Sequence, residues 1–313
     1  MEREKKMKPL GGTELQLGFL QKYCSKNLLD KVQITTSVPE KEPLADDKIN
    51  ILWQKNSYDQ PNIAPWFQDK TNHKKYDWYV FNSHWNYEKY RMMFDVPTEK
   101  CHVIKNGVTS FPKRCKYTKG DTIRIIHQNT PWRGLNVLLG AMQYLKDENI
   151  ELDVYSSTEI YGKDFHEQNK DQYTELYEQA KKLPNVNYIG YRPNDFILQK
   201  LSHYHLYVYP SIWEETSCIS LLECMAAGLY CVVTNFGALY ETGSEFPAYV
   251  TYDKNYKKLA EVFAHGIKAS VNTLHEPEIQ KHLDRQQEFV KEYYNWDKKA
   301  MEWNFFLKGI TNG

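Results

Sequence analysis

From Thr122 onward, short apolar runs alternate with amphipathic stretches, and that alternation restricts the chain to a parallel sheet covered by helices on both faces. TIRIIHQ (122–128) reads as a strand, after which Leu135, Leu138, Leu139, Met142 and Leu145 share one face of a helix. ELDVYSS (151–157) and VNYIGY (186–191) read as the next strands, separated by a polar helix that runs to Leu183. LYVYPS (206–211) and YCVVTN (230–235) follow, and the helix between them ends at Ala227 and Gly228, where a C-terminus wants a residue that tolerates positive φ. The first part repeats the pattern less sharply: helix 13–24, strands 32–37, 50–54 and 77–83, helix 85–94 and strand 101–105. The sequence therefore predicts an α/β protein of two domains, residues 1–110 and 111–295. Phe111 to Gly120, with Pro112 and little apolar content, reads as the linker. The closing residues read as helical and rich in large rings, and segment 296–313 is expected to pack back on the first domain.

Forty basic residues against forty acidic ones leave no net charge, which disfavours a general polyanion binder such as a nucleic-acid protein. The charge is uneven, however. Residues 1–116 hold 20 Lys and Arg against 14 Asp and Glu, so the first part carries +6 and the remainder −6. That asymmetry suits an anionic or membrane-proximal acceptor for the first part, or is ordinary solvated surface. The six cysteines form no CxxC pair and no closely spaced Cys/His set has zinc-ligand geometry, so a reducing, cytoplasmic setting and no metal are expected. No run of eighteen apolar residues is present, and no membrane span or signal peptide is expected.

The segment that carries chemistry is PSIWEETSCISLLECMAAGLYCVVTN, residues 210–235. It follows a strand end, holds Glu215 and Glu223 eight positions apart, and runs through a helix into another strand. Ligands of open α/β sheets bind outside the carboxyl ends of the strands, which is where Glu215 falls. The helix must start between Ser217 and Ser220, so the unpaired amides of Ser217, Cys218 and Ile219, together with the positive end of the helix dipole, suit a phosphate. Alternatively, Ser220 and Glu223 form a capping box and Glu215 is a solvated loop acid.

This block resembles the donor-binding signature of the retaining glycosyltransferases of family four, which have the GT-B fold: P-S-x-x-E, seven residues, a second Glu, then A-x-G before a strand. Glu215 and Glu223 keep the paired spacing, and one residue is inserted in PSIWEE. Arg133-Gly134, after the strand at 122–128, is similar to the family's basic residue and Gly that open the covering helix. Gly11-Gly12-Thr13 looks like its glycine-rich loop, VFNSHWNYEKY (80–90) its strand-Ser-helix segment, and VIKNGV (103–108) the end of its first domain. Tyr191 and Arg192 fall where the family builds a wall around the nucleotide base.

The resemblance implies two Rossmann-like domains facing a central cleft, and transfer of a sugar from a nucleotide-diphosphate donor to an acceptor hydroxyl with retention. It implies Arg133 on the leaving diphosphate, Glu215 on the sugar hydroxyls, Glu223 on the ribose, and Gly11 and Gly12 approaching the phosphates. No cofactor, metal or nucleic acid is implied; the partners are the nucleotide sugar and a glycan, lipid-linked or small-molecule acceptor. The sequence departs from the family in three places. Only hydrophilic residues precede Gly11, so the usual first strand is expected to be absent or rebuilt. Gln128 stands where a further Arg is common, leaving that phosphate contact missing or supplied by Asn129 or Thr130. Lys55 stands where an acceptor-side His is often found, which leaves His84 and His127 as candidates for that group, either of them more often structural. These departures keep two alternatives in view: a donor-binding scaffold without transfer, and a sugar-nucleotide epimerase.

Overall fold

The computed structural model describes residues 11–312 and contains two parallel sheets. β1 (Val32–Thr36), β2 (Ile49–Gln54), β3 (Trp78–Phe81) and β4 (Cys101–Val103) lie in that order in the first. β5 (Ile123–His127), β6 (Ile150–Val154), β7 (Val186–Tyr188), β8 (Leu206–Tyr209), β9 (Tyr230–Thr234) and β10 (Ala248–Val250) form the second, in the order β10-β9-β8-β5-β6-β7. Every neighbouring pair is parallel. In the second sheet the chain steps outward from β5 through β6 to β7, then returns to β8 and steps the other way. The loops leaving β5 and β8 therefore diverge, and the crevice between them is the place such a sheet offers a ligand.

Both sheets are covered on both faces because side chains alternate along each strand. In β2, Ile51 and Trp53 face the helices Gly12–Tyr23 and Trp296–Thr311, while Leu52 joins Phe67, Tyr79, Phe81 and Tyr90 on the opposite side. In the second sheet Ile125, Leu152, Val208 and Val232 pack under Leu135–Tyr144 and Tyr256–Thr273. Ile126, Tyr207, Tyr209 and Val233 pack under Ile219–Ala226, with Val290 of Pro277–Tyr293 beside them. Trp303 of the last helix meets Trp53 edge-on, ring centroids 4.9 Å apart, and is fully buried. A side chain buried to that degree contributes about 2–3 kcal/mol. The chain leaves the first sheet at Val108 and returns to it after Asn295, and the two crossings bond to each other: Val108 N to Tyr294 O at 2.8 Å, Trp296 N to Val108 O at 3.0 Å.

The expected strands are all present, and all but Ile49–Gln54 are shorter than read, as with 186–191, of which only Val186–Tyr188 is paired. The sequence missed β10 and the short helices Lys26–Leu29, Ala64–Gln68 and Asn194–Lys200. The expectation that no strand precedes Gly11 falls on residues 1–10, outside the described residues. Segment 111–120 carries no helix or strand.

Candidate active site

Two glycines let neighbouring loops close on the loop after β8, Gly134 from the loop after β5 and Gly237 from the loop after β9. Gly134 has φ 117°, and a Cβ there would lie 2.0 Å from the carbonyl oxygen of Pro210, so only glycine lets the two loops pack. Ile212 N then donates to Arg133 O at 3.4 Å. Gly237 has φ 63°, and its would-be Cβ sits 2.5 Å from the backbone of Glu215, which bridges to it. Between these anchors, Arg133 Nη1 donates to Glu215 Oε1 at 2.6 Å, and the Tyr209 hydroxyl donates to the same oxygen at 2.5 Å. Glu215 is only 4% exposed, which corrects the alternative of a solvated loop acid. Arg133 Nε is buried and has no partner, so the guanidinium keeps donor capacity beyond its pair with Glu215.

The helix Ile219–Ala226 starts at Ile219 with Cys218 as its N-cap, so Ser220 lies inside the helix and no capping box forms with Glu223. The Ser220 hydroxyl is instead tied to Asn129 Nδ2 and the Tyr207 hydroxyl, both at 2.9 Å. Glu223 is 5% exposed and accepts from Asn194 Nδ2 at 2.9 Å. Burial pushes its carboxyl up to about 7, with the Asn194 bond opposing. Asn194 was not legible as a site residue, because it lies on a short helix 29 positions away. Its Oδ1 is buried without a partner.

Two helix N-termini converge on this place. A Cβ at Gly12, the first residue of Gly12–Tyr23, would stand 3.0 Å from Ile219 Cδ1, so the glycine loop and the start of Ile219–Ala226 nearly touch. Among the described residues, the amides of Ser217, Cys218 and Ile219 have no backbone acceptor. Asn106 Nδ2 holds the Ser217 hydroxyl at 3.0 Å. Near the strand end, Gln128 Nε2 is turned to Ser220 O and Asn129 is bonded within the Ser220 and Tyr207 network. Thr130 Oγ1 is buried and has no partner.

One cavity of about 490 Å³ lies between the two sheets. Its wall includes Arg133, Glu215 and Glu223, the loop Gly11-Gly12, Asn129 and Thr130, the segment Ser217-Cys218-Ile219, and the pair Tyr191 and Arg192. Every donor-side candidate named from the sequence is thus on the same wall. Tyr191 is half-buried and Arg192 exposed, its Nη1 donating to Tyr191 O at 2.7 Å. The wall also contains Glu14, Lys55, Asn82 and Asn106, which sequence reasoning did not assign a role. His84 and His127 are not part of it. His127 is fully buried, its Nδ1 donates to Val208 O at 3.1 Å, and burial pushes it down to about 4, so it is a neutral core group. Among the described residues no group of three or more His, Cys, Asp or Glu is placed to hold a metal, and no helix is long and apolar enough to cross a membrane.

Comparison with known proteins bears on this site. The family described as "Glycosyl transferases group 1" matches residues 109–277, more than half of the chain and the whole of the second sheet. No curated protein matches the sequence. Among solved structures, a glycosyltransferase from Rickettsia africae superposes with a TM-score of 0.65 at 16% identity, over 100% of this chain and 85% of that one. Sucrose-phosphate synthase from Thermosynechococcus elongatus gives 0.65 at 15% identity, over 100% and 80%. Anabaena Alr3699/HepE in complex with UDP gives 0.63 at 13% identity, over 84% and 72%. At these identities the likeness is one of fold, and the fold is GT-B.

Proposed function

Because the chain belongs to the group 1 glycosyltransferases, we propose that its cavity receives a nucleotide-diphosphate sugar and that the sugar passes to an acceptor hydroxyl with its anomeric configuration retained. The observation that carries this reading is the meeting of Arg133, Glu215 and Glu223 on one wall, beside the free first turn of Ile219–Ala226 and at the switch between β5 and β8. When a glycosidic bond breaks heterolytically, negative charge gathers on the departing diphosphate. Arg133, the amides of Ser217, Cys218 and Ile219, and the Gly11-Gly12 loop meet that charge without a metal. Glu215, held by Tyr209 and Arg133, accepts from sugar hydroxyls, and Glu223, steadied by Asn194, accepts from the ribose. Tyr191 and Arg192 flank the base, and Thr130 offers its hydroxyl to a phosphate oxygen.

Retention follows if the acceptor attacks from the face the diphosphate leaves, with the leaving phosphate oxygen taking the acceptor's proton. Support for this over a covalent intermediate comes from Glu215, whose Oε1 already accepts two bonds and is a poor nucleophile. The test is incubation of the full chain with a panel of nucleotide sugars, UDP-linked ones first, reading nucleotide release and the anomeric configuration of the product by NMR. Activity is expected to survive a chelator and to be lost in Arg133→Ala and Glu215→Ala. Nucleotide binding without release from any donor overturns the transfer reading. Interconverted sugars with the nucleotide still attached point to epimerisation instead, and an inverted product removes retention alone.

A further inference from the structure

Lys55 follows β2 directly, at the end of the first sheet that opens on the cavity, and it is 8% exposed. Its ammonium donates to Asn106 Oδ1 at 2.7 Å and sits 3.7 Å from the ring centroid of Trp53. The other basic side chains held in the interior each have a carboxylate: Arg133 has Glu215 at 2.6 Å, Lys105 has Glu241 at 3.0 Å and Lys299 has Glu302 at 2.6 Å. Among the described residues Lys55 has none within 4.0 Å. A buried cation with no carboxylate in contact is costly: burial lowers the affinity of this amine for its proton, and Glu14, beyond 4.0 Å on the same wall, opposes that only in part. The cost is offset when a ligand brings the missing negative charge.

The position is tied to the loop that follows β8. Thr216 Oγ1 donates to Lys55 O at 2.8 Å, and Asn106 spans from Lys55 to Ser217, so the amine is fixed to the loop that carries Glu215. The diphosphate has its own cation and amides on the second-sheet wall. Lys55 reaches the cavity from the first-sheet wall, where Lys41 is a second basic residue, in the part of the chain that carries +6. We propose that Lys55 selects the acceptor, receiving a carboxylate or phosphate group carried beside the attacking hydroxyl. This rests on the transfer reading above and adds the class of acceptor to it.

The experiment compares matched acceptors with the full chain and its active donor: a hexuronic acid glycoside against the hexose glycoside, and a hexose phosphate against the hexose. The wild type is expected to favour the anionic member of at least one pair by about tenfold to a hundredfold in kcat/KM. The pair that responds tells carboxylate from phosphate. Lys55→Met is expected to bring that ratio close to unity, Lys55→Gln to lower it sharply while keeping a polar contact to Asn106, and Lys55→Arg to retain a preference. Melting curves and calorimetric binding of a nucleoside diphosphate report on folding of each variant. The proposal is overturned if the wild type treats both pairs alike, or if Lys55→Met loses charged and neutral acceptors in the same proportion. If no donor is turned over at all, transfer fails separately, and the same acceptor pairs are then compared by calorimetric binding to wild type and Lys55→Gln, with equal affinities overturning the Lys55 assignment.

Discussion

Glu223 shows how burial tunes a single side chain in this cavity. Its carboxyl is pushed up to about 7, so near neutral pH it exchanges between a protonated and an ionised form. A carboxyl raised in this way favours the folded state while protonated, and that contribution fades as pH climbs through about 7. On the proposed role of Glu223 at the ribose, binding has the opposite sign, because the ionised form is the one that accepts from both hydroxyls. Affinity for a nucleoside diphosphate is expected to tighten between about pH 6 and pH 8 with release of a proton, and calorimetry in buffers of different ionisation enthalpy reads this directly. Glu223→Gln should flatten the profile. On the proposed reading Arg133 meets the other end of the donor, where charge develops only as the bond breaks. Arg133→Ala is therefore expected to lower kcat by about a hundredfold to a thousandfold with a smaller change in donor KM; a change confined to KM would assign Arg133 to binding alone.

At the scale of elements, the site is made where loops meet, and small residues decide how near they come. Gly134 combines positive φ with a carbonyl oxygen 2.0 Å from where a Cβ would stand. Gly134→Ala is expected to destabilise the chain by about 2–4 kcal/mol, read as a lower denaturation midpoint, and to separate Arg133 from Glu215. A variant of unchanged stability and activity would show that the loops can shift freely. The strands were legible because their apolar residues recur in short dense runs, and Arg133-Gly134 and the Glu215 to Glu223 spacing were legible because each is local in sequence. β10 escaped notice because three residues, Ala248–Val250, are too few to show a period. The helix Asn194–Lys200 is similarly short, and with it Asn194, which orients Glu223, went unseen.

Across the whole molecule, the two sheets are joined by polar contacts as well as by chain crossings. Glu241, from the helix Leu239–Gly243 after β9, accepts from His84 N and Trp85 N at 2.9 and 2.8 Å and pairs with Lys105 at 3.0 Å. It thus caps the first turn of His84–Phe94 from across the cleft. Burial opposes ionisation of Glu241, but those amides and Lys105 outweigh it and hold the carboxyl below its usual range. Its contribution is present above the ordinary carboxylate value and lost as pH falls. Glu241→Ala is expected to cost about 1–3 kcal/mol and to enlarge the radius of gyration of the unliganded protein in small-angle scattering; an unchanged radius would mean the cleft is held by other contacts. The amino-acid sequence alone determined the alternating layers, the two sheets and the motif by which the chain resembles the group 1 glycosyltransferases, because periodicity and short spacings are written along the chain. Only the tertiary structure decided that Arg133 pairs with Glu215 across 82 positions, that Asn194 holds Glu223, and that Lys55 is buried against Asn106 with no carboxylate within 4.0 Å among the described residues. Those contacts depend on which strand ends lie side by side and how closely the loops between them pack, and no local pattern of residues records either.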